Sequence, residues 1–435
     1  MIAKTKAIKD VYKLTRALPT RNFVNPKYVY ISITNARCNK AEIYVKPGDK
    51  VKCCQIIGKR DGGFFEQNIY STVSGTVIGN EKHYHRSGKE IEYLKIENNY
   101  KDDMADTIYE RTDEEISKLT KDDMTQIIKD TSLVGLGGSS FPTYVKFQTK
   151  DKIDTILING IECEPYLTTD HRIMLEFTHE IISGLKYAMQ AFGAKRGVIC
   201  FKKKYEDLEE LWKAVLKSYP YDNISYCKVG NFYPQGWEVE MIKSATGIVV
   251  KHGTLPAKYG IMDFNVSTCL GIWRAIKHNE PVIERNITIT GDGIVLPQNF
   301  RVRVGTSFRD LLPLVGGYTP GDKKVFIMGG PMMGVTPSTD DVILTRTVTS
   351  IIILNEHEYK EEPCVRCGSC VYSCPVGLLP VQIMNAVKAM DKERMLALKC
   401  NECIECGLCT YSCTSKIHVT DYIRRAKLLT KVMKK

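Results

Sequence analysis

The sequence predicts a multidomain chain, α/β plus β in class, that ends in a small cysteine-rich unit. Three observations predict it. Short alternating runs bounded by turn residues fill the first quarter of the chain, buried-type strands alternate with helical periodicity through its middle, and two cysteine runs of equal spacing stand near its end. A chain of 435 residues has room for several domains and cores. Its 43% hydrophobic and 26% charged content is that of an ordinary globular protein. No apolar run approaches the roughly 18 residues needed to span a bilayer.

The cysteine runs carry the most specific chemistry. The first is Cys364-Val-Arg-Cys367-Gly-Ser-Cys370-Val-Tyr-Ser-Cys374-Pro375, and the second is Cys403-Ile-Glu-Cys406-Gly-Leu-Cys409-Thr-Tyr-Ser-Cys413-Thr414. This is the bacterial ferredoxin spacing, twice. Three thiolates on a tight loop hold three irons of one cubane, and the fourth cysteine ligates the other cluster. The expected ligand sets are therefore Cys364, Cys367, Cys370 and Cys413 for one [4Fe–4S] cluster, and Cys403, Cys406, Cys409 and Cys374 for the second. Zinc takes four ligands per site and would leave the third cysteine of each triplet surplus. Cys400 stands close enough to compete as a ligand but reads as a spare buried thiol. Thr414 occupies the usual proline position, which keeps the ligands and loosens that turn.

The remaining eight of the sixteen cysteines have irregular spacing and suit a reducing compartment. Met1-Ile-Ala-Lys-Thr-Lys lacks an apolar run, so secretion is not expected. The net charge of +11 is spread rather than stacked in blocks with aromatics. That disfavours nucleic acid and favours docking to an acidic redox partner. Residues 1–27 are basic (Lys4, Lys6, Lys9, Lys13, Arg16, Arg21), and are expected to be a solvated terminus or a docking arm.

Residues 28–104 read as short β, with turns at Pro47-Gly48-Asp49 and Ser74-Gly75. The pieces around Val45–Lys52 and Ser71–Val77 resemble the barrel-sandwich fold of biotinyl and lipoyl domains, without an evident carrier lysine. Cys53-Cys54 is read as packing. A helix is expected over 105–128. Next comes Val134-Gly-Leu-Gly-Gly-Ser-Ser-Phe-Pro-Thr-Tyr-Val-Lys146, where Gly135, Gly137 and Gly138 let backbone N–H groups close round a phosphate and Lys146 adds charge. Thr155–Ile158 reads as a buried parallel strand ending in Asn159-Gly-Ile-Glu162-Cys-Glu164-Pro, where open α/β sheets bind ligands. A helix over 174–192 and the strand Gly197–Phe201 continue the alternation. His171 and Arg172 are expected in a structural salt bridge, and Gly329–Gly334 in a packing turn filled by Met332 and Met333.

Taken in order, Gly135–Lys146, Asn159–Arg172, Tyr233-Pro-Gln-Gly-Trp-Glu238, Asn265–Thr268, Gly329–Gly334 and the cysteine runs resemble the RnfC family, which is similar to the flavin subunit of respiratory complex I. The resemblance covers about residues 28–424. It implies a barrel-sandwich domain at 28–104, a Rossmann-like domain binding FMN and NADH at 105–284, a β-grasp SLBB domain at 285–355, and a ferredoxin-like 2[4Fe–4S] domain at 356–435. By position, Gly137 and Gly138 would line the flavin phosphate and ring and Lys146 would contact the flavin. Asn159 and Glu162 would hold the isoalloxazine and nicotinamide edges, with Glu162 as the catalytic candidate and Glu164 beside it. Asn265 and Thr268 would hold the FMN phosphate end, and Tyr233 and Glu238 would sit over the nucleotide.

Four features depart from the family pattern: Ser139-Ser140 before Phe-Pro, Ile161 in place of an acid, Trp237 in place of a small or acidic residue, and no His-Pro near the N-terminus. The resemblance implies transfer from NADH through FMN and two clusters to a protein acceptor such as ferredoxin, a reductase or other Rnf-type subunits. Placement would be cytoplasmic, or peripheral on the cytoplasmic membrane face. The alternatives are a soluble paralogue serving a reductase, such as proline reductase or cobalamin reductase, or a relay that has lost NADH binding. The basic final helix, from Val419 to Lys435, is expected to present a solvated face.

Overall fold

A computed structural model describes Ile8 and residues 13–432, apart from 36, 64, 86–87, 219–222, 252, 322 and 358. Lys4, Lys6, Lys9 and residues 433–435 of the expected last helix lie outside the described residues. Two antiparallel sheets come first. One runs in the order Tyr28–Ser32, Glu90–Asn98, Gly75–Tyr84, Lys50–Val51, and the other is Lys40–Ile43, Ile56–Asp61, Glu66–Tyr70. Alternate residues such as Val29, Ile31, Ile69 and Ile96 fill the space between them. At Gly75 a Cβ would stand 1.9 Å from the Glu97 carbonyl oxygen, so only glycine lets these strands meet.

The central unit is a four-stranded parallel sheet in the order Ile224–Val229, Arg196–Lys202, Thr155–Asn159, Ile261–Asn265. Its inner strands Thr155–Asn159 and Arg196–Lys202 are buried along most of their length because both faces are covered. Ile156 and Ile158 pack under the helices Thr178–Phe192 and Val266–His278, while Leu157 points to the helix Glu238–Thr246. The helix expected over 105–128 is instead two, Asp113–Ser117 and Lys121–Asp130. Thr112 with Glu115 and Thr120 with Asp123 each form a capping box that restarts the chain. The expected 174–192 helix is likewise split, into Thr169–Glu176 and Thr178–Phe192, at non-helical Phe177.

A five-stranded mixed sheet follows, ordered Arg21–Phe23, Gln298–Arg303, Glu284–Thr290, Ser350–Asn355, Lys324–Met328. Its edge strand comes from the N-terminal segment, with Arg21 paired to Phe300 in parallel register. Thr15 is fully buried, and its carbonyl accepts from Asn299 Nδ2 at 2.8 Å. The described part of the basic terminus is thus tied into the fold through Lys13, Thr15 and the strand Arg21–Phe23, while Arg21 itself stays exposed. The last unit packs the helices Pro380–Lys388, Lys392–Ala397 and Val419–Val432 around Ile383, Met384, Met395 and Ile423. Cys400 is buried in that core. Among the described residues no helix is long and apolar enough to cross a membrane.

Candidate functional site: a cleft that meets a cysteine housing

The parallel strands Thr155–Asn159 and Ile261–Asn265 run in register, so Asn159 and Asn265 end side by side at the carboxyl edge of the sheet. A cleft of about 840 Å³ opens there. Gly135, Gly137, Gly138, Lys146, Asn159, Glu162, Glu164, Tyr233, Glu238, Asn265 and Thr268 all line it, with Ile161 and Trp237. The glycine loop folds onto this edge: Thr268 Oγ1 accepts from Leu136 N–H at 2.9 Å, and a Cβ on Gly137 would lie 2.9 Å from Asn265 Cγ. Asn265 caps the helix Val266–His278, accepting from Ser267 N–H at 2.9 Å, and donates to Asp170 Oδ2 at 2.7 Å. Asn159 donates to Gly236 O at 2.9 Å.

Several of these residues are already engaged. Lys146 Nζ donates to Asp263 O at 2.7 Å and to Asp263 Oδ1 at 3.1 Å. Glu164 accepts from Met332 N–H and Met333 N–H, each at 3.0 Å. The Gly329–Gly334 turn is therefore an amide clamp on Glu164 rather than packing alone. Burial pushes the Glu164 carboxyl up to about 7 against the pull of those amides. Tyr233 is buried, and its hydroxyl donates to Cys406 O at 2.9 Å. His171 and Arg172 do not pair with each other: His171 bonds Asp207 at 2.8 Å and Arg172 bonds Glu176 at 2.9 Å.

Glu162 is buried in the cleft wall. Its Oε1 accepts from Asp170 N–H at 3.0 Å, and its Oε2 has no hydrogen-bond partner among the described residues. Burial raises the carboxyls of both Glu162 and Asp170. Lys13 lies 3.8 Å from Glu162 Oε2 and donates to the carbonyls of Glu162, Glu164 and Leu167; burial lowers its amine to about 8. Arg285, from the mixed sheet, donates to the Leu136 carbonyl of the glycine loop. Arg37 reaches in from the first unit: its guanidinium lies over the paired rings of Phe65 and Phe141, donates to Ser139 O at 3.1 Å, and lines the cleft. Lys13, Asp170, Arg285 and Arg37 were not singled out from sequence as cleft residues, because their partners lie far along the chain. Basic residues among turn residues were the only local signal.

The cysteines divide into two housings. Cys374, Cys403, Cys406 and Cys409 line one small chamber with Val376, Leu378, Leu408 and Ile423. The fourth cysteine of the first run has crossed to the second, the donor set a cubane requires. Backbone N–H groups of Leu378 and Glu405 point at the sulfurs of Cys374 and Cys403, both at 3.3 Å. In the other housing, Cys364 and Cys413 sit near enough to Cys370 to push its thiol up, in addition to burial. Cys364 and Cys367 are exposed. Hydrogen bonding from Ser369, then Thr414, holds the Cys367 thiol down to about 7. The buried housing touches the cleft: Ile404 and Cys406 line both, and the Met332 carbonyl oxygen stands 2.6 Å from where Gly407 would carry a Cβ.

The cleft suits a flavin nucleotide on three observations: a strand-end carboxylate, Glu162, in its wall, a glycine loop that admits no side chain at Gly137, and room for a mononucleotide. The class so defined is a nucleotide-binding α/β domain joined to a double cysteine housing. Comparison with known proteins agrees. Residues 7–101 match the RnfC barrel sandwich hybrid domain, 128–274 the Nuo51 FMN-binding domain and 286–336 the SLBB domain. The chain is 32% identical over 376 residues to a component of the proton-translocating ferredoxin:NAD(+) oxidoreductase complex of Clostridium ljungdahlii, covering 85% of this chain and 81% of that one. It is 34% identical over 345 residues to the counterpart in the Na(+)-translocating complex of Acetobacterium woodii, covering 78% and 76%. A crystal structure of an NAD+-reducing [NiFe]-hydrogenase shares the fold at a TM-score of 0.52 and 15% identity, over 73% of this chain and 64% of that one. The chain belongs to the RnfC family.

Proposed function

We propose that this chain is the nucleotide-side electron-transfer subunit of an Rnf-type complex, holding FMN and two [4Fe–4S] clusters and passing electrons between NADH and a protein acceptor. The observation that carries the reading is the shared wall: Cys406 lines both the cleft and the buried cysteine chamber. FMN exchanges a hydride with NADH and single electrons with clusters, so the protein's part is position and electrostatics.

Glu162, in the cleft wall, is the acceptor that would orient a flavin ring N–H. Gly137, Asn265 and the loop anchored by Thr268 form the cradle for the nucleotide. Asn159 and Asn265 fix the floor, and Lys13 holds the Glu162–Leu167 loop from behind. Cys374, Cys403, Cys406 and Cys409 would hold the cluster nearer the cleft. Cys364, Cys367, Cys370 and Cys413 would hold the outer one, whose exposed Cys364 and Cys367 offer the exit to an acceptor. Association with a membrane would run through partner subunits.

The test is an anaerobic NADH titration of the cluster-reconstituted protein, following flavin and iron–sulfur absorbance together. Bleaching of both is the expected result. Flavin that NADH leaves oxidised, while dithionite reduces the clusters, would instead make the chain a relay, with Trp237 in the cleft as the first residue to examine.

A further inference from the structure

The two cysteine runs are an internal repeat with a constant offset of 39 residues, so each half is a control for the other. Cys370 corresponds to Cys409 and Leu378 to Ile417, and the amides of Leu378 and Ile417 reach the sulfurs of Cys374 and Cys413 at 3.3 and 3.4 Å. Among the positions where the halves differ, two bear on the sulfurs of the inner housing. Val371 and Val381 in the first become Thr410 and Thr420 in the second, an almost isosteric exchange that adds two hydroxyls.

The hydrogen bonds of those hydroxyls have a forced direction. Thr420 N–H donates to Thr410 Oγ1 at 2.9 Å, and the Thr410 hydroxyl donates to Thr420 Oγ1 at 2.8 Å. The Thr420 hydroxyl proton is left to Cys409 Sγ, 3.2 Å away and buried. A cluster-bound thiolate is an acceptor only, which completes the relay. In the first half the equivalent amide, that of Val381, faces Cys370 directly. The second half has diverted its amide to Thr410 and put a hydroxyl in its place. The outer housing has hydroxyls too, Ser369 and Thr414 near Cys367, but on an exposed thiol.

Building on the cluster assignment proposed above, we propose that the Thr410–Thr420 relay supplies the hydrogen bond that sets the midpoint potential of the inner cluster separately from the outer one. A donor at a ligating sulfur stabilises the reduced, more negative cluster and raises its potential. Its removal in a dry site lowers the reduced-to-oxidised ratio at fixed poise by about tenfold, which is about 59 mV for a one-electron couple.

The experiment is an EPR-monitored redox titration of the reconstituted full-length protein. Thr420→Val should lower the potential of one cluster signal and leave the other in place, because Thr410 Oγ1 still captures the Thr420 amide and only the Thr410 backbone amide remains at the sulfur. Thr420→Ser should restore it. The double variant Thr410→Val/Thr420→Val rebuilds the arrangement of the first half, freeing the amide for Cys409, and should recover most of the loss. Two intact clusters with unchanged potentials in Thr420→Val overturn the proposal alone, as does a double variant that falls as far as the single one. A wild-type preparation holding well under about eight irons overturns the cluster assignment, and the proposal with it.

Discussion

The cysteine domain and the cleft are built in opposite ways. All eight candidate ligands lie between Cys364 and Cys413, and the tight loops that aim them are local. The cleft takes Arg37 from the first unit, its floor from the parallel sheet, the Gly329–Gly334 clamp from the mixed sheet and Cys406 from the cysteine domain. Lys13, which braces it from behind, is 149 residues from Glu162. A locally encoded site tolerates change elsewhere in the chain. A site assembled from four units ties its ligand affinity to how those units dock.

Removing the one cysteine that belongs to both regions tests the comparison most severely. Cys406→Ala should abolish electron transfer from flavin to iron while NADH still bleaches the flavin, with about half the iron lost. Iron analysis beside the anaerobic titration checks it. Undiminished reduction of the remaining cluster would show that the shared wall is not the route. Lys13→Met comes next, and strikes the distributed site from outside it. The ammonium is buried, and its loss strands three carbonyls and the Glu162 carboxyl. A cost of about 3 kcal/mol is expected, read as an earlier urea transition together with weaker FMN retention. An unchanged transition would separate the N-terminal segment from the cleft.

What was legible from sequence follows the same division. Cysteine spacing pointed to both ligand sets, including the crossing of Cys374, because the loop geometry is set within a few residues. The strand Thr155–Asn159 and its polar end were equally local, and so were the glycines. Lys13 was not legible: in a basic terminus a lysine that seeks carbonyls of another unit looks like one that seeks water. Tyr233 and Glu164 show the converse. Both were placed at the cleft, yet their polar atoms bind Cys406 and the Met332–Met333 amides, across 173 and 168 residues. No periodicity carries such information. The split within 105–128 was legible in principle, since Thr112 with Glu115 and Thr120 with Asp123 are capping boxes in the sequence itself.

The docking of units should also respond to pH. Glu164 titrates near 7 in the folded chain against about 4.3 when unfolded. Between those values the folded state holds more protons, so stability should fall as pH rises through that window. Glu164→Gln should flatten the dependence, and thermal melts between pH 5 and 7.5 check it, with an identical slope counting against the clamp. A smaller effect is expected at the lip. Arg37 is exposed and placed by Phe65, Phe141 and Ser139, so Arg37→Ala should raise the KM for NADH about fivefold with kcat unchanged, the loss of one contact worth ~1 kcal/mol. A fall in kcat instead would put Arg37 nearer the reacting atoms.

The smallest expected change sharpens the contrast inside the cysteine domain. Thr414 stands where the first half has Pro375, and its hydroxyl lies 3.6 Å from Cys367 Sγ. Thr414→Pro removes that donor and rebuilds the turn of the other half, so the fold should be indifferent. The sulfur it serves is exposed, and water can take the place of the lost hydroxyl. The outer cluster should therefore shift by about twofold in its reduced-to-oxidised ratio, well short of the tenfold expected of Thr420→Val. If the two shifts are equal, burial is not what gives the inner hydrogen bond its leverage, and the difference between the housings must lie in their ligands' backbone amides instead.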